Sequence, residues 1–558
     1  MARQESSYIQ LRGVSRHEGQ SLSKGQFKHS NTRWLDGLRG FAALIVVFHH
    51  FGLAFWHQTV YAWGTQVPVG FILDRQPFLP YAKPVPDHNL EIISEVQDNY
   101  SILQLPIIRL IVSGDPMVAI FFIVSGYSLS IKPLSLVRKG LDSQGQLLSA
   151  ISSAAFRRPI RLLLPVIFST FMVAVAAGIG LYSYAAAETK GPYEHMHLWF
   201  HGWVLEPVPP IEATFFIQMQ DWMLSTSEFL DFFSHTWSWS AYDRHAWTIP
   251  LEFRCSYFLF MTQVATAMFG SSVRLTILAV LVAGAFTWGA TWEMALFWSG
   301  MALCEINMIR DSADITNRVV TNTHLWTKRG IKAAVLFIGL YVATIPGFQS
   351  EFTPMYSFLN SIHMPGRPPI DHRTWVAIGA LMIVSVVSRT VCLKNFFSNR
   401  LAKYLGRISF ALYLVHGPVL RGLGYTVAVL MWKCIGNYNW YRYNVAVGIT
   451  MAITLPVIFA LSHLFCVTID EPIVRLARWM ESRLKQLTSM DKLWEPASTF
   501  EEVRMLDAAS MGDGYLDSPS ATTGLFSIEE KDEDDSFLEE SDKDGGSSRI
   551  LEEGRMAS

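Results

Sequence analysis

Long apolar stretches recur along most of the chain, and they constrain its fold more than any other feature. A helix that crosses the apolar core of a bilayer, about 30 Å thick, needs roughly 20 mostly apolar residues. Only 16% of the residues are charged, against about 25% in a typical soluble protein. We therefore predict an all-α fold, a polytopic transmembrane helix bundle of about ten membrane spans. The predicted spans are residues 39–58, 112–131, 161–182, 246–268, 273–290, 292–309, 332–347, 374–392, 405–432 and 445–469.

The distribution of lysine and arginine predicts the orientation of this bundle. Basic residues are frequent in the N-terminal segment and in alternate connections, whereas residues 181–245 contain only Lys190 and Arg244. Because cytosolic loops carry the excess of basic residues, both termini are expected in the cytosol. The membrane itself is expected to be the endoplasmic reticulum or the plasma membrane. The sequon at Asn99 falls in the first non-cytosolic loop, which makes it a candidate glycosylation site, although such short sequons also occur by chance.

Composition divides the chain into three predicted regions. Residues 1–32 are polar, lack the apolar core of a cleaved signal peptide, and are expected to be a disordered cytosolic N-terminus. Residues 33–480 form the predicted transmembrane domain. Residues 481–558 form a cytosolic tail, acidic and disordered from about residue 512, because too little apolar surface remains there to offset the entropy of ordering.

Charge and cysteine usage exclude several classes of function. The net charge of −2 argues against a nucleic-acid partner, and membrane lipids are the expected neighbours. The five cysteines form no Cys-x-x-Cys pair, so neither a disulfide framework nor a zinc site is expected. We predict no metal and no permanently bound cofactor.

An arginine and a histidine stand in register on the first predicted span. Arg39 and His50 are separated by eleven residues, about three helical turns and 16 Å, so they share one face of the helix. Arg39 would lie near the membrane surface and His50 near mid-depth. A titratable group this deep is costly and indicates function, and imidazole is suited to accept a proton near neutral pH.

Two further ionisable residues are predicted at the depth of His50. Counting 1.5 Å per residue along their spans places Glu252 and His416 within a few ångströms of that level. We predict that the three form one site, in which a carboxylate or a second imidazole orients His50 as a general base. The alternative is that each is an isolated polar residue satisfied by a neighbouring helix.

Several residues elsewhere in the predicted domain each allow two interpretations, one structural and one functional. Asp36 is placed either to cap the first helix or to contact substrate. Ser125 lies among small residues, which indicates either close helix packing or a narrow place where the backbone meets a ligand. Tyr127, two residues on, is assigned to substrate binding or to structure. The cluster Arg157, Arg158 and Arg161 would contact lipid phosphates or a phosphorylated ligand.

Six segments together resemble the acyltransferase 3 family of integral membrane enzymes, in its fungal form. They occur in the order of the family from about residue 33 to residue 479. The departures are Phe410, where a tyrosine is usual, and Arg254, where many members have a second acid. The segments are Asp36–Gly40 followed by His50, Phe121–Tyr127, Phe156–Pro165, Trp247–Phe253, Tyr404–His416 and Asp470–Pro472.

The resemblance implies an O-acyltransferase that uses acyl-CoA, with acetyl-CoA expected, as co-substrate. The acceptor would be a hydroxyl of a small secondary metabolite of terpenoid or polyketide type, or alternatively of a carbohydrate or glycolipid. It further implies that Arg39 and the cluster Arg157, Arg158 and Arg161 contact the coenzyme A phosphates, with Ser125 near the donor. His50 would remove the proton of the acceptor hydroxyl.

A proton-coupled transporter or lipid flippase is the alternative of another class. Buried histidines and a glutamate could also relay protons across a membrane. Such proteins often contain inverted repeats, and the sequence shows no internal symmetry of this kind.

Overall fold

Helices form nearly all of the chain that the computed structural model describes, which confirms the predicted all-α class. The described residues are 32–67, 97–189, 207–231, 240–288, 291–316, 325–362, 371–437 and 439–488. The predicted disorder of the N-terminus and of the acidic tail lies outside these residues. The division of the chain at residue 480 stays a prediction.

The ten predicted spans each overlap a long helix. Five helical segments are long and apolar enough to cross a membrane: Arg33–Phe55, Asp115–Val137, Gln144–Gly178, Arg400–Ile435 and Trp440–Leu487. The chain is therefore a membrane protein, and the count of about ten spans stays a prediction. The described α-helices are α1 (Arg33–Phe55), α2 (Asp115–Val137), α3 (Gln144–Gly178), α4 (Ser183–Thr189), α5 (Phe215–Phe229), α6 (Thr248–Ala265), α7 (Ser271–Trp288), α8 (Trp292–Thr316), α9 (Leu325–Ala343), α10 (Ser357–Asn360), α11 (His372–Arg389), α12 (Val391–Phe396), α13 (Arg400–Val419), α14 (Tyr425–Ile435), α15 (Trp440–Phe465) and α16 (Glu471–Thr488).

Short elements complete the fold. Two π-helical segments, Leu420–Gly424 and Cys466–Asp470, join α13 to α14 and α15 to α16. Two strands pair antiparallel in the described part of the chain, β1 (Gln66–Val67) and β2 (Gln97–Asp98). The 3₁₀ turns are His57–Val60, Ile102–Gln104, Ile108–Val112, Leu141–Ser143 and Arg244–Trp247.

Two glycines let α1 and α13 pack in parallel at close range. A side chain on Gly40 would collide with the backbone of Gly406, and one on Gly406 would collide with the backbone of Asp36. Small residues permit this approach where two helices pack inside a membrane. Ten residues beyond each glycine stand His50 and His416. Because both helices rise about 1.5 Å per residue, the two histidines reach the same height.

Buried ion pairs hold the helices beside this central pair. Glu305 of α8 is completely buried and lies 2.9 Å from Arg274 of α7 and 3.0 Å from Arg138, which follows α2. A buried charge is tolerated when it is paired and hydrogen-bonded, so this triad fixes α7 and α8 against the end of α2.

The connection after α1 is organised around a buried arginine. The guanidinium of Arg109 donates to the carbonyl oxygens of Thr59, Val60 and Tyr61 at 2.6–3.2 Å. Burial lowers the pKa of Arg109 to about 10, so it remains charged at neutral pH. Asn99 is only 5% exposed and its amide donates to the Ala62 carbonyl at 3.5 Å. Glycosylation of Asn99 stays a prediction.

Candidate functional site

Three histidines from three separate elements meet at one point. His50 lies on α1, His416 on α13, and His245 in the 3₁₀ turn Arg244–Trp247 that leads into α6. The ring centroids are 3.9 Å apart for His50 and His245, 4.6 Å for His245 and His416, and 5.0 Å for His50 and His416. The predicted proximity of His50 and His416 is therefore present in the structure. His245 and His416 are buried, and His50 is partly exposed.

A hydrogen-bonded series orients these rings. The Nδ1 atom of His245 lies 2.9 Å from Oδ1 of Asp243, and its Nε2 lies 3.0 Å from Nδ1 of His50. A carboxylate only accepts hydrogen bonds, so the proton of neutral His245 is assigned to Nδ1 and its Nε2 accepts. His50 then donates from Nδ1 and carries its lone pair on Nε2. The series therefore prepares His50 to accept a proton at Nε2.

The charge of Asp243 is balanced by Arg421. Both side chains are completely buried, and Nη2 of Arg421 donates to Oδ1 of Asp243 at 3.3 Å. Arg421 also donates to the carbonyl oxygens of Tyr242, at 3.1 Å, and Gly417, at 3.3 Å. It belongs to the π-helical segment Leu420–Gly424, and such segments frequently occur at functional sites.

The backbone of α13 holds His245 in place. A side chain on Gly417 would overlap the His245 ring, so the absence of a Cβ there lets the ring approach α13. The hydroxyl of Tyr413 donates to the His245 carbonyl and lies 2.7 Å from Oγ1 of Thr248. The position of His245 is thus set by α13 as well as by its own turn.

Glu252 has other partners than the sequence predicted. Its Oε1 accepts hydrogen bonds from Nη2 of Arg158 at 2.7 Å and from Oγ of Ser125 at 3.0 Å. Arg158 also donates to Ser256 at 2.9 Å. The carboxylate hydrogen-bonded into the histidine cluster is that of Asp243. In the structure the Glu252 side chain contacts α3 and α2, and its role in orienting His50 stays a prediction.

A second group of arginines lies around Arg158. The charges of Arg39, Arg158 and Arg161 interact electrostatically, and the Asp470 carboxylate interacts with Arg39 and Arg161. The Nε atom of Arg39 is buried and has no hydrogen-bond partner among the described residues. This arrangement concentrates positive charge and leaves a guanidinium donor for an anionic ligand.

Arg157 lies apart from this group. α3 begins at Gln144, well before the predicted start at residue 161, so the arginines project from the middle of the helix and not from its first turn. Consecutive residues differ by about 100° around a helix axis. Arg157 accordingly pairs with Glu481 of α16 at 3.2 Å and donates to the Ser153 carbonyl at 3.1 Å.

The remaining candidates have structural contacts. α1 begins at Arg33 after Thr32, so Asp36 lies in its first turn and does not cap it, which corrects the capping prediction. The hydroxyl of Tyr127 accepts a hydrogen bond from Asn307 at 3.3 Å, and its ring packs edge-on against Trp34. Tyr127 thus has an explanation that needs no ligand, and the contact of Asp36 with substrate stays a prediction.

The sequence reasoning missed Asp243, His245 and Arg421. Two signals were present: an Asp-x-His pair just before the segment Trp247–Phe253, and a charged residue inside an otherwise apolar stretch after His416. The pair stands in a long connection between two predicted spans. Its partner His50 is almost 200 residues away, and no local pattern indicates such a contact.

Comparison with known proteins agrees with the motifs. A family model described as an acyltransferase domain matches residues 32–469. The chain is 30% identical to the O-acetyltransferase PaAT-1 of Phomopsis amygdali, over 85% of this chain and 89% of that protein. It is 25% identical to acyltransferase R4 of a Phoma species, over 83% of this chain and 97% of that protein, and 25% identical to acyltransferase clz18 of Cochliobolus lunatus, over 79% and 94%. No solved structure matches significantly.

These matches favour the transferase prediction over the transport alternative. They extend over nearly the whole described domain and include His50, the segment from Asp243 to Glu252, and His416. The chain belongs to the acyltransferase 3 family, and the protein is a membrane acyltransferase.

Proposed function

We propose that the protein transfers an acetyl group from acetyl-CoA to a hydroxyl of a small secondary metabolite of terpenoid or polyketide type. The name of the Phomopsis amygdali relative, an O-acetyltransferase, supports the acetyl group and the oxygen acceptor. The fungal form of the segment Trp247–Phe253 supports a metabolite acceptor. A carbohydrate or glycolipid acceptor is the alternative that the same assay tests.

The observation that carries this proposal is the series Asp243, His245 and His50. As the acceptor oxygen attacks the thioester carbonyl, His50 Nε2 takes the hydroxyl proton and a carbon–oxygen bond forms. The carbon–sulfur bond then breaks, and the thiolate of coenzyme A recovers the proton from His50. His245 and Asp243 stabilise the transient imidazolium, as the third member of a catalytic triad does. General-base help of this kind typically contributes about 10²–10⁴-fold in rate.

The arginine group would bind the donor. Arg39, Arg158 and Arg161 supply guanidinium groups whose planar forks match phosphate oxygens. Arg39 stands about 16 Å from His50 along α1, so an extended coenzyme A with its phosphates at the arginines could bring its thioester inward to His50. In this arrangement Glu252 is a positioning residue, because it holds Arg158 and accepts from Ser125.

The test is acetyl transfer by the full chain purified in detergent. Acetyl-CoA labelled in the acetyl group would be supplied with terpenoid alcohols, phenolic polyketides and, separately, oligosaccharides. His50→Ala and His245→Ala should each lower turnover by at least about a hundredfold. His463→Ala is the matched control, because His463 is exposed and stacks on Tyr404, away from the cluster.

Two outcomes would contradict the proposal. Near-normal turnover in a folded His50→Ala protein would remove His50 from the chemistry. If oligosaccharides but no metabolite became labelled, the acceptor would be a carbohydrate and not a secondary metabolite. The proposed role of His50 would be unaffected.

A further inference from the structure

We propose that His50, His245 and His416 form a binding site for one divalent transition-metal ion, zinc by preference, and that this ion inhibits the enzyme. One nitrogen from each ring lies within 4.8 Å of the other two. Within the part of the chain that the structure describes, no other group of three His, Cys, Asp or Glu residues is arranged in this way. Neutral imidazoles are preferred ligands of zinc, and three histidines with an open fourth position form a known zinc geometry.

The distances suit a tetrahedral ion after a small adjustment. Zinc–nitrogen bonds of about 2.0–2.1 Å place two ligand nitrogens of a tetrahedron about 3.3 Å apart. His245 Nε2 and His50 Nδ1 are already 3.0 Å apart. The third nitrogen, from His416, has to approach the other two by up to about 1.5 Å, since no separation exceeds 4.8 Å.

The second nitrogens of the rings are held as in zinc sites. A metal-bound imidazole nearly always donates its other N–H to a carboxylate or a backbone carbonyl, which fixes the tautomer and the ring orientation. His245 Nδ1 contacts Asp243 at 2.9 Å, and His416 Nδ1 contacts the Leu412 carbonyl at 3.0 Å. In both rings the lone pair therefore belongs to Nε2.

Charge and access also agree with a cation. The pair Asp243 and Arg421 is neutral as a whole, and a neutral three-histidine set suffices to bind zinc. The Oδ2 atom of Asp243 is buried and has no hydrogen-bond partner among the described residues, so one carboxylate oxygen beside the cluster is still able to accept a hydrogen bond. His50 is partly exposed, which gives an ion a route to the site.

Inhibition follows from competition between the ion and a proton. Binding through Nδ1 of His50 replaces the hydrogen bond from His50 to His245 and requires the ring proton to move from Nδ1 to Nε2. A metal-bound His50 can no longer take the acceptor's proton. The inhibition, unlike the binding, rests on the proposed function.

Binding is tested with the full chain in detergent, stripped of metal with a chelator. Titration with Zn²⁺ should show one saturable site per chain, and Co²⁺ should give the intense visible absorption of a four-coordinate ion. His245→Gln and His416→Gln should each weaken Zn²⁺ binding by at least about a hundredfold, and Asp243→Asn by about 10–100-fold. His463→Gln should bind as the unaltered protein does.

The outcomes separate the two proposals. Three results would overturn the metal site. The first is the absence of saturable Zn²⁺ binding, and the second is the weak absorption of six-coordinate Co²⁺ in the unaltered chain. The third is unchanged Zn²⁺ affinity in folded His245→Gln and His416→Gln proteins. One bound ion together with a loss of acetyl transfer that a chelator reverses is the expected result. A bound ion that leaves acetyl transfer unchanged would keep the site and overturn the proposed role of His50.

Discussion

The guanidinium of Arg421 lies 3.3 Å from the carboxylate of Asp243, and both side chains are completely shielded from solvent. This pair stands behind His245, which in turn contacts His50. Burying two charges is costly, and their mutual attraction offsets that cost only with good geometry and further hydrogen bonds. Arg421 meets this condition because it also donates to backbone carbonyl oxygens. The pair thus places a buried carboxylate and its countercharge directly behind His245.

Asp243→Asn should lower acetyl transfer by about 10²–10⁴-fold while leaving the donor affinity nearly unchanged. An amide has the shape of the carboxylate but cannot stabilise a positive charge on the histidines. Turnover and acetyl-CoA affinity would be measured on the same preparation. Turnover within threefold of the unaltered protein would show that the carboxylate does not assist His50.

Arg421→Met should destabilise the protein by about 3–5 kcal/mol, because it leaves the Asp243 charge buried without its partner. The double variant Arg421→Met with Asp243→Asn should recover a large part of this stability and none of the activity. Thermal unfolding in detergent and acetyl transfer separate the two effects. A double variant no more stable than Arg421→Met alone would contradict the proposed coupling.

Gly417→Ala should reduce turnover by at least about tenfold, because the added methyl group would overlap the His245 ring and displace it from His50. Gly448→Ala is the matched control: it also lies within a helix, and an added Cβ meets no atom within 4 Å. We expect the control to keep full activity and normal or slightly raised stability. Equal activity of the two variants would show that the approach of His245 to α13 is not required.

Arg39→Lys should weaken acetyl-CoA binding by roughly ten- to a hundredfold, the loss of about 1.5–3 kcal/mol from a charge-assisted contact. Lysine keeps the charge but not the planar fork. Arg33→Lys is the control on the same helix, since Arg33 is exposed at its first residue. Unchanged coenzyme A affinity in Arg39→Lys would show that Arg39 does not bind the donor and only anchors α1 at the membrane surface.

Glu252→Gln should raise the acetyl-CoA concentration needed for half-maximal rate more than it lowers the maximal rate. The substitution removes the charge that holds Arg158 at 2.7 Å. Glu293→Gln breaks a comparable pair with Arg254 at 2.9 Å and serves as the control for a loss of stability alone. A fall in the maximal rate alone would instead indicate that Glu252 assists His50 in the chemical step, as the sequence predicted.

Local periodicity was sufficient for the helices and for one pair of site residues. Apolar stretches of about twenty residues predict membrane helices, since the backbone must satisfy its own hydrogen bonds in lipid. The constant rise per residue predicted that His50 and His416 reach the same level. Gly40 of α1 contacts Gly406 of α13, and each histidine follows its glycine by ten residues. The two histidines therefore lie at the same level, as predicted.

The identity of the orienting acid was decided only by the tertiary structure. Rise along a helix gives the height of a side chain, whereas its direction depends on how the helix is rotated against its neighbours. That rotation turns Glu252 to Arg158 and Ser125. The acid at His245 comes instead from Asp243, in a short turn whose position depends on contacts with α13. Sequence alone determined the class of fold and singled out His50 as a candidate site residue. Packing between distant segments decided which carboxylate and which arginine stand behind His245, because such contacts leave no periodic trace in the chain.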